Sequence, residues 1–160
     1  MTLGLITCGE AMGLVESERI GPLRLGGPMR MSMAGTESTV AIGLVRLGSS
    51  ARWVGVVGDD EVGQLVRRTL SAEGVETDGV VTDPDRPSSL MLKERRTAPV
   101  GAGDSFAAGL LADLARGRPP RSALETAAAV AAINVGCPGD WEGLPTRAKV
   151  DLLRGADVLR

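Results

Sequence analysis

The chain has 160 residues and a formal net charge of −2, with 18 Lys and Arg against 20 Asp and Glu. That length is typical of one domain with a buried core. The chain contains no His, which excludes Ser-His-Asp and Cys-His nucleophiles, HExxH zinc sites and imidazole proton relays. The only two cysteines, Cys8 and Cys137, lie far apart in the sequence. This argues against a structural zinc site or a disulfide scaffold and fits a reducing, cytoplasmic compartment.

Neither nucleic acid nor a membrane is an expected partner. The basic residues are scattered and are not interleaved with aromatic residues, as they would be in a nucleic-acid site. The longest uncharged stretch, Thr126–Gly139, is too short to cross a bilayer. The first ten residues contain no basic residue and end at Glu10, so we expect no signal peptide.

Apolar runs and helical spacing alternate through the first half of the chain. Leu3–Cys8 is a mostly apolar run that predicts a buried strand, and Arg52–Val57 predicts a second one. The apolar residues of Glu37–Leu47 recur at helical spacing, and those of Val62–Leu70 do the same after three acidic residues that favour a helix start. The order strand, helix, strand, helix predicts βαβ units, a parallel sheet and an α/β fold class.

The second half begins with short strands and continues as a mostly helical region. Ser122 and Glu125 have the spacing of a capping box, which predicts the start of an Ala-rich helix at that point. The predicted elements are, in order, strands over Asp78–Asp83 and Ser88–Glu94, a helix over Asp104–Arg116, the Ala-rich helix to about Val135, a loop over Gly136–Leu144, and a final helix from Thr146 to Leu153.

The sharpest local feature is the small-residue run that precedes the helix at Asp104. Gly101, Ala102 and Gly103 would let the chain approach a ligand closely, and their N–H groups with the helix dipole would bind an anion. Asp104 could take the proton from an attacking hydroxyl while these amides stabilise the charge on a transferred phosphoryl group. A glycine-rich turn in which Asp104 only stabilises the helix start fits the same residues.

Two common phosphate-binding motifs are excluded. Neither Lys93 nor Lys149 lies in a GxxxxGK[ST] sequence. Phe106 occupies the position of the third small residue that a Rossmann GxGxxG pattern would need after Gly101 and Gly103. A nucleotide site at this run would therefore belong to another architecture.

Two segments resemble the signatures of one family, the ribokinase-like (PfkB-type) carbohydrate kinases. Residues 99–111, PVGAGDSFAAGLL, resemble its C-terminal signature, and residues 34–41, AGTESTVA, resemble its N-terminal signature. Both occur in the order that the family has, and together the similar segments extend over nearly the whole chain. The segments most similar to 2-keto-3-deoxygluconate kinases within that family are Cys8–Glu10, residues 90–96 (LMLKERR) and residues 138–145 (PGDWEGLP).

The resemblance implies an activity and a set of site residues. The implied activity is ATP-dependent phosphorylation, with Mg²⁺, of a hydroxyl on a small-molecule sugar or a sugar acid such as 2-keto-3-deoxygluconate. The implied site residues are Asp104 as the catalytic base, Gly101, Ala102 and Gly103 as the phosphate-binding anion hole, and Gly35, Thr36 and Thr39 on the sugar, with no metal ligand from the protein.

The resemblance also implies the architecture. We expect a truncated ribokinase-like three-layer α/β sandwich with a partial small β lid. Residues 1–160 would form one shortened kinase domain, in which residues 1–96 are the N-terminal sugar-binding part with the lid strands and residues 97–160 are the C-terminal anion-hole and helical part. Family members usually pair through the lid, so a homodimer through the lid or an exposed sheet edge is a further expectation.

The chain departs from the family pattern at several positions. Ala34 replaces the first Gly of the usual Gly-Gly pair, Thr39 replaces the sugar-binding Asn, and Ala98 replaces the Asp before the C-terminal signature. The chain is about half the usual family length, the loss falls near Arg96–Ala98, and no Asn-x-x-Glu motif is present. A non-catalytic remnant that acts as a binding or self-pairing module therefore remains an alternative, as does a decayed reading frame with no folded function.

Overall fold

A computed structural model describes residues 4–95 and 101–156. The predicted alternation of strands and helices is confirmed, and strands β2 and β3 are additional to the predicted elements. Ala98 and the break near Arg96–Ala98 lie outside the described residues. The elements are β1 (Leu5–Cys8), β2 (Met12–Ile20), β3 (Met29–Ala34), α1 (Thr36–Arg46), β4 (Ala51–Gly58), α2 (Glu61–Ala72), β5 (Val80–Asp83), β6 (Leu90–Arg95), α3 (Ala102–Leu114), α4 (Pro120–Asn134) and α5 (Arg147–Ala156).

The central sheet contains three parallel strands in the order β1-β4-β5 among the described residues. Its inner face is apolar and buried, with Trp53 and Val57 of β4 in one core cluster with Val66 and Leu70 of α2. Helix α1 packs on β1 and β4 at the same face. Since parallel crossovers are right-handed, a sheet that grows in one direction from β1 to β5 carries its connecting helices on one face.

The outer face of the central sheet is exposed. Ile6, Val56 and Val81 point away from the helices and remain 64%, 59% and 58% exposed. Of the predicted three-layer sandwich, the described residues therefore form the sheet and the layer of helices on its inner side. Exposed β-branched residues on a sheet whose outer strands, β1 and β5, have no further strand partner among the described residues form a surface that natural proteins usually cover.

The partial β lid is a second sheet with the order β3-β2-β6. Strands β2 and β3 form an antiparallel hairpin, and β6 pairs with β2 in parallel. Gly13 of β2 allows close packing, because an added Cβ would lie 2.9 Å from Val62 of α2 and from Leu90 of β6. The predicted exposed strand over Ser88–Glu94 is therefore a lid strand.

Helices α3 and α4 pack against each other, and α3 also packs on α1, which in turn packs on the sheet. Small residues allow the close approach: an added Cβ on Gly43 of α1 would lie 2.6 Å from the Cβ of Ala108. The predicted capping box at Ser122 and Glu125 is wrong, because α4 begins at Pro120 and has no side-chain cap. Proline fits a first helical turn with its fixed φ, so the helix starts before Ser122. No described helix has the length and apolarity needed to span a membrane.

Candidate active site

A cleft of about 260 Å³ lies where the lid meets the N-termini of α1 and α3. Gly35 and Thr36 line it from the start of α1, and Asp104 lines it from the first turn of α3. Met91 of β6 and Asp140 of the loop after α4 complete its sides. The fold thus brings together residues that lie about 70 positions apart in the chain.

Gly35 has a conformation that a side chain would not tolerate. It is the N-cap of α1 with φ 145° and ψ 126°, and an added Cβ would lie 2.5 Å from the carbonyl oxygen of Glu10. The Ser38 hydroxyl donates a hydrogen bond of 2.8 Å to the Gly35 carbonyl. The backbone of Gly35 is therefore held tightly against the chain that follows β1, at the wall of the cleft.

Gly101 begins α3 in the left-handed region, with φ 77° and ψ 6°. An added Cβ would contact the carbonyl oxygen of Asp140 and would lie 2.9 Å from the Asn134 amide nitrogen. The Ser105 hydroxyl donates a hydrogen bond of 2.6 Å to the Gly101 carbonyl, which fixes the first turn.

The first turn of α3 begins with two exposed residues. The N–H groups of a first helical turn have no partner within the helix, and Ala102 and Gly103 are exposed. An added Cβ on Gly103 would meet nothing within 4 Å. These amides, with the helix dipole, fit a phosphate group.

The pKa of the half-buried Asp104 is raised above the ordinary range of an aspartate. Burial is the largest cause, and repulsion from Asp140 and then from Glu37 adds to it. A hydrogen bond with the Thr36 side chain opposes the rise. A carboxylate with a raised pKa, placed beside an anion site, is suited to accept a proton from a hydroxyl.

Thr39 is not among the residues that line the cleft. It lies one turn into α1 with its side chain fully buried. Its hydroxyl has no hydrogen-bond partner among the described residues. The structure therefore places Thr39 apart from the cleft, and the sugar contact implied for it stays a prediction.

Asp140 is a cleft residue that the sequence pattern did not predict. It lies in the predicted loop over Gly136–Leu144, and its carbonyl accepts a hydrogen bond of 3.0 Å from Asn134. Its carboxylate forms an ion pair of 3.3 Å with Lys93 of lid strand β6. A loop between two helices gives no sequence signal for its tertiary neighbours, so only the fold places Asp140 beside Asp104.

Arg46, near the end of α1, holds the loop that carries Asp140. Its guanidinium donates to the carbonyl of Leu144 at 2.8 Å and lies 5.3 Å from the centre of the Trp141 ring. Glu73 anchors the other side of the guanidinium through bonds of 2.8 and 3.0 Å. The planar, five-donor group of Arg suits such simultaneous contacts.

Substituting Gly101 and Gly103 separately should give opposite effects on stability. Gly101→Ala places a Cβ in the left-handed region, which costs about 1–2 kcal/mol, and also displaces Asp140. Gly103→Ala, the matched control, should stabilise the helix by up to about 1 kcal/mol, because Ala is the better helix former. Urea unfolding measures both, and equal effects would contradict the described start of α3.

Comparisons with known proteins give one family. The family model described as pfkB family carbohydrate kinase matches residues 5–98 and again residues 93–147. A 2-dehydro-3-deoxygluconokinase of Bacillus subtilis is 35% identical over 96 residues, which are 59% of this chain and 30% of that protein. The chain therefore spans well under two thirds of that curated relative.

Two of the solved structures that resemble this chain share its fold along more than nine tenths of its length. A PfkB protein from Polaromonas has a TM-score of 0.81 at 19% identity, over 93% of this chain and 99% of that one. The aminoimidazole riboside kinase of Salmonella enterica, solved with aminoimidazole riboside and an ATP analogue, has a TM-score of 0.79 at 13% identity, over 94% and 99% of the two chains. The fold is therefore ribokinase-like.

Proposed function

This chain belongs to the pfkB family of carbohydrate kinases, and from that premise we propose that it transfers the γ-phosphoryl group of ATP to a hydroxyl of a sugar or sugar acid. One observation carries the proposal: Asp104, Gly35 and Thr36 line a single cleft beside the first turn of α3. A proton acceptor, a sugar-sized space and an anion site are the parts that this reaction needs.

The chemistry follows from the position of each group. The acceptor hydroxyl oxygen attacks the γ-phosphorus, a new P–O bond forms, and the bond from phosphorus to the leaving ADP oxygen breaks. The hydroxyl proton passes to the Asp104 carboxylate. The amides of Gly101, Ala102 and Gly103 stabilise the negative charge on the transferred group, because they are fixed in place before the reaction begins.

ATP and Mg²⁺ are the nucleotide and metal of this proposal. The Salmonella neighbour binds an ATP analogue, and the open side of Gly103 leaves space for a phosphate at α3. Among the described residues, no group of three or more acidic or Cys side chains is arranged to hold a metal ion. On this proposal Mg²⁺ accompanies the nucleotide, where it neutralises phosphate charge and takes phosphate oxygens and waters as ligands.

The relatives suggest the acceptor class, and the cysteines suggest the compartment. The Bacillus relative is named for 2-dehydro-3-deoxygluconate, and other matched kinases are named for fructose. Both of this chain's cysteines, Cys8 and Cys137, are free, which suits a reducing cytoplasm. Sugar-dependent release of ADP by the purified chain tests the proposal, and ADP release that no sugar stimulates would contradict it.

A second candidate function, self-pairing of a non-catalytic remnant, is favoured by the bare outer face of the central sheet. Ile6, Val56 and Val81 are exposed apolar residues on this face. Arg52, the register partner of Ile6, is already paired with Glu76 and Asp78. The lid offers another apolar surface, where Leu92 is 63% exposed.

Light scattering of single variants separates these two pairing surfaces. We expect the wild-type chain of 16.5 kDa to form dimers. Val56→Lys should shift the mass to the monomer, because burying an unpaired ammonium is costly, and the matched lid variant Leu92→Lys should remain dimeric. Dissociation by Leu92→Lys alone would assign pairing to the lid, and a monomeric wild type would exclude pairing.

A further inference from the structure

Asn134, the last residue of α4, lies outside the cleft but contacts two of the segments that form the site. We propose that Asn134 is a positioning residue: its side-chain amide holds the loop that carries Asp140 against the turn at Gly101, and through both it fixes the surroundings of Asp104. The inference rests on the proposed function and deepens it, since it names a residue that acts on the reaction through others.

The Asn134 side chain is fully buried where α3 meets the loop after α4. Its Nδ2 donates a hydrogen bond of 3.0 Å to the carbonyl oxygen of Asp140. The same nitrogen lies 2.9 Å from the place that a Cβ on Gly101 would occupy, and the Asp140 carbonyl contacts that place as well. One amide group therefore touches the start of α3 and the loop at a single point.

The later part of the loop packs on the amide oxygen. An added Cβ on Gly143 would lie 2.7 Å from Oδ1 of Asn134 and 2.9 Å from the Asn134 carbonyl oxygen. The backbone N–H of Cys137 donates to that carbonyl at 3.0 Å. Asn134 is thus enclosed by both ends of the loop and by the Gly101 turn.

The amide oxygen has a cost that filling space does not explain. Oδ1 of Asn134 is buried and has no hydrogen-bond partner among the described residues. The bond to the Asp140 carbonyl fixes which end of the amide is the nitrogen, since two oxygens would repel each other. An apolar side chain would occupy this position without an unpaired buried atom, which is unfavourable. The donor at Nδ2 is therefore the feature that the position requires.

Asp140 transmits the effect of Asn134 to Asp104. The charged groups around Asp104 are Glu10 after β1, Glu37 of α1 and Asp140 of the loop, whose carboxylate pairs with Lys93 of β6 at 3.3 Å. Burial raises the pKa of Asp104, and repulsion from Asp140 raises it further. Because the two carboxylates repel each other, a loop that loses its bond to Asn134 should move Asp140 away from Asp104.

Carbon NMR of isotope-labelled aspartate carboxyls measures the pKa of Asp104 without turnover, and the Asp104→Asn variant identifies its signal. We expect this pKa to fall in Asn134→Ala, because the bond that holds the Asp140 backbone is lost. Asn134→Ser has a side chain too short to replace the amide at this distance. It should lower the pKa as well, and it is the variant to measure if Asn134→Ala does not fold.

Thr126→Ala is the matched control. Thr126 is another fully buried polar residue of α4, and its hydroxyl donates to Asp113 at 2.6 Å. Neither Thr126 nor Asp113 lines the cleft. This variant should lose stability and leave the pKa of Asp104 unchanged, whereas a merely structural role for Asn134 would give the two variants the same effect on that pKa.

A double variant shows whether Asn134 acts through Asp140. Asp140→Asn removes the charge and keeps the backbone carbonyl, so it should lower the pKa of Asp104 by itself. In that background Asn134→Ala should cause no further fall, because coupled residues do not have additive effects.

Steady-state rates separate positioning from sugar binding. The kcat of Asn134→Ala should fall by up to about 10²-fold, since small displacements of reacting groups have effects of this size. The KM for the sugar should change little, because Asn134 does not line the cleft. A raised KM at unchanged kcat would contradict the inference, since it would indicate lost binding alone.

Three NMR results would overturn the inference: an unchanged pKa of Asp104 in folded Asn134→Ala, an equal fall in Thr126→Ala, or a further fall in the double variant. The carboxyl titration needs no turnover. A wild-type chain that phosphorylates no sugar would therefore defeat the proposed function alone. Phosphorylation of a sugar by the wild type, together with any of the three NMR results, would defeat this inference alone.

Discussion

Asp104→Asn is expected to lower the rate of sugar phosphorylation by about 10²–10⁴-fold, the range typical for loss of a general base. The amide has nearly the same shape as the carboxylate but cannot accept the hydroxyl proton. The fold and sugar binding should persist, since Asp104 is half-buried and makes no described ion pair. Initial rates measure the loss, and Asp151→Asn, an exposed position on α5, is the matched control.

The same variant should be more stable than the wild type at neutral pH. The pKa of Asp104 is raised in the folded chain, first by burial and then by Asp140 and Glu37, so folding favours the protonated form. The ionised carboxylate therefore lowers stability at pH values above this raised pKa, and the penalty disappears as the pH falls towards the ordinary aspartate pKa of about 4. Urea midpoints at pH 7 and about pH 4 measure the difference.

Two results would contradict this account of Asp104. A variant that keeps a wild-type rate would remove Asp104 from the reaction. A variant that loses stability at pH 7 would show that the carboxylate has a structural role, which is the alternative that a helix-start Asp presents.

Asp113→Ala should cause the largest loss of stability among single substitutions in the C-terminal part. The Asp113 side chain is fully buried and accepts bonds of 2.6 Å from Arg147 at the start of α5 and from Thr126 of α4. Removing it leaves a half-buried guanidinium without its partner, which typically costs about 3–5 kcal/mol. Three helices would lose their shared polar contact.

Thermal unfolding tests this second prediction. We expect the melting temperature to fall by about 6–20 °C, at roughly 2–4 °C per kcal/mol for a chain of this size class. Asp151→Ala should change stability by less than about 0.5 kcal/mol, because it is an exposed aspartate. A small effect of Asp113→Ala would contradict the buried network, and a non-cooperative wild-type transition would favour the decayed reading frame.

Local sequence patterns predict the parts of the fold that depend on near neighbours. The strands at Leu5–Cys8 and Ala51–Gly58 follow from their apolar runs, and the helix Ala102–Leu114 follows from its spacing and its small-residue start. The hairpin of β2 and β3 does not follow from a local pattern. Glu16 and Ser17 interrupt its apolar alternation and are nevertheless buried. Glu16 is buried because Arg30 of β3 pairs with it at 3.1 Å.

The residues of the candidate site also divide into those that local sequence predicts and those that only the tertiary fold reveals. The positions of Gly35 and Gly101 in helix starts could be predicted, since positive φ and close backbone contacts need glycine. Asp140 and Arg46 could not, because their importance arises from contacts between distant segments. Asp140 pairs with Lys93, 47 positions away, and Arg46 donates to the loop carbonyls of Trp141 and Leu144, 95 and 98 positions away. The burial of Thr39 could not be predicted either, because only the packing of α1 shows that its side chain faces the core.

We propose that the cleft at Asp104 is where a phosphoryl group is transferred to a sugar hydroxyl. Phosphorus NMR of the wild-type chain with ATP, Mg²⁺ and a panel of neutral sugars and sugar acids tests this transfer most directly. The spectrum shows the product ester and ADP together. We predict that a sugar-phosphate resonance grows in step with ADP and is absent for Asp104→Asn. ADP without a sugar phosphate, or neither signal at high protein concentration, would contradict the claim.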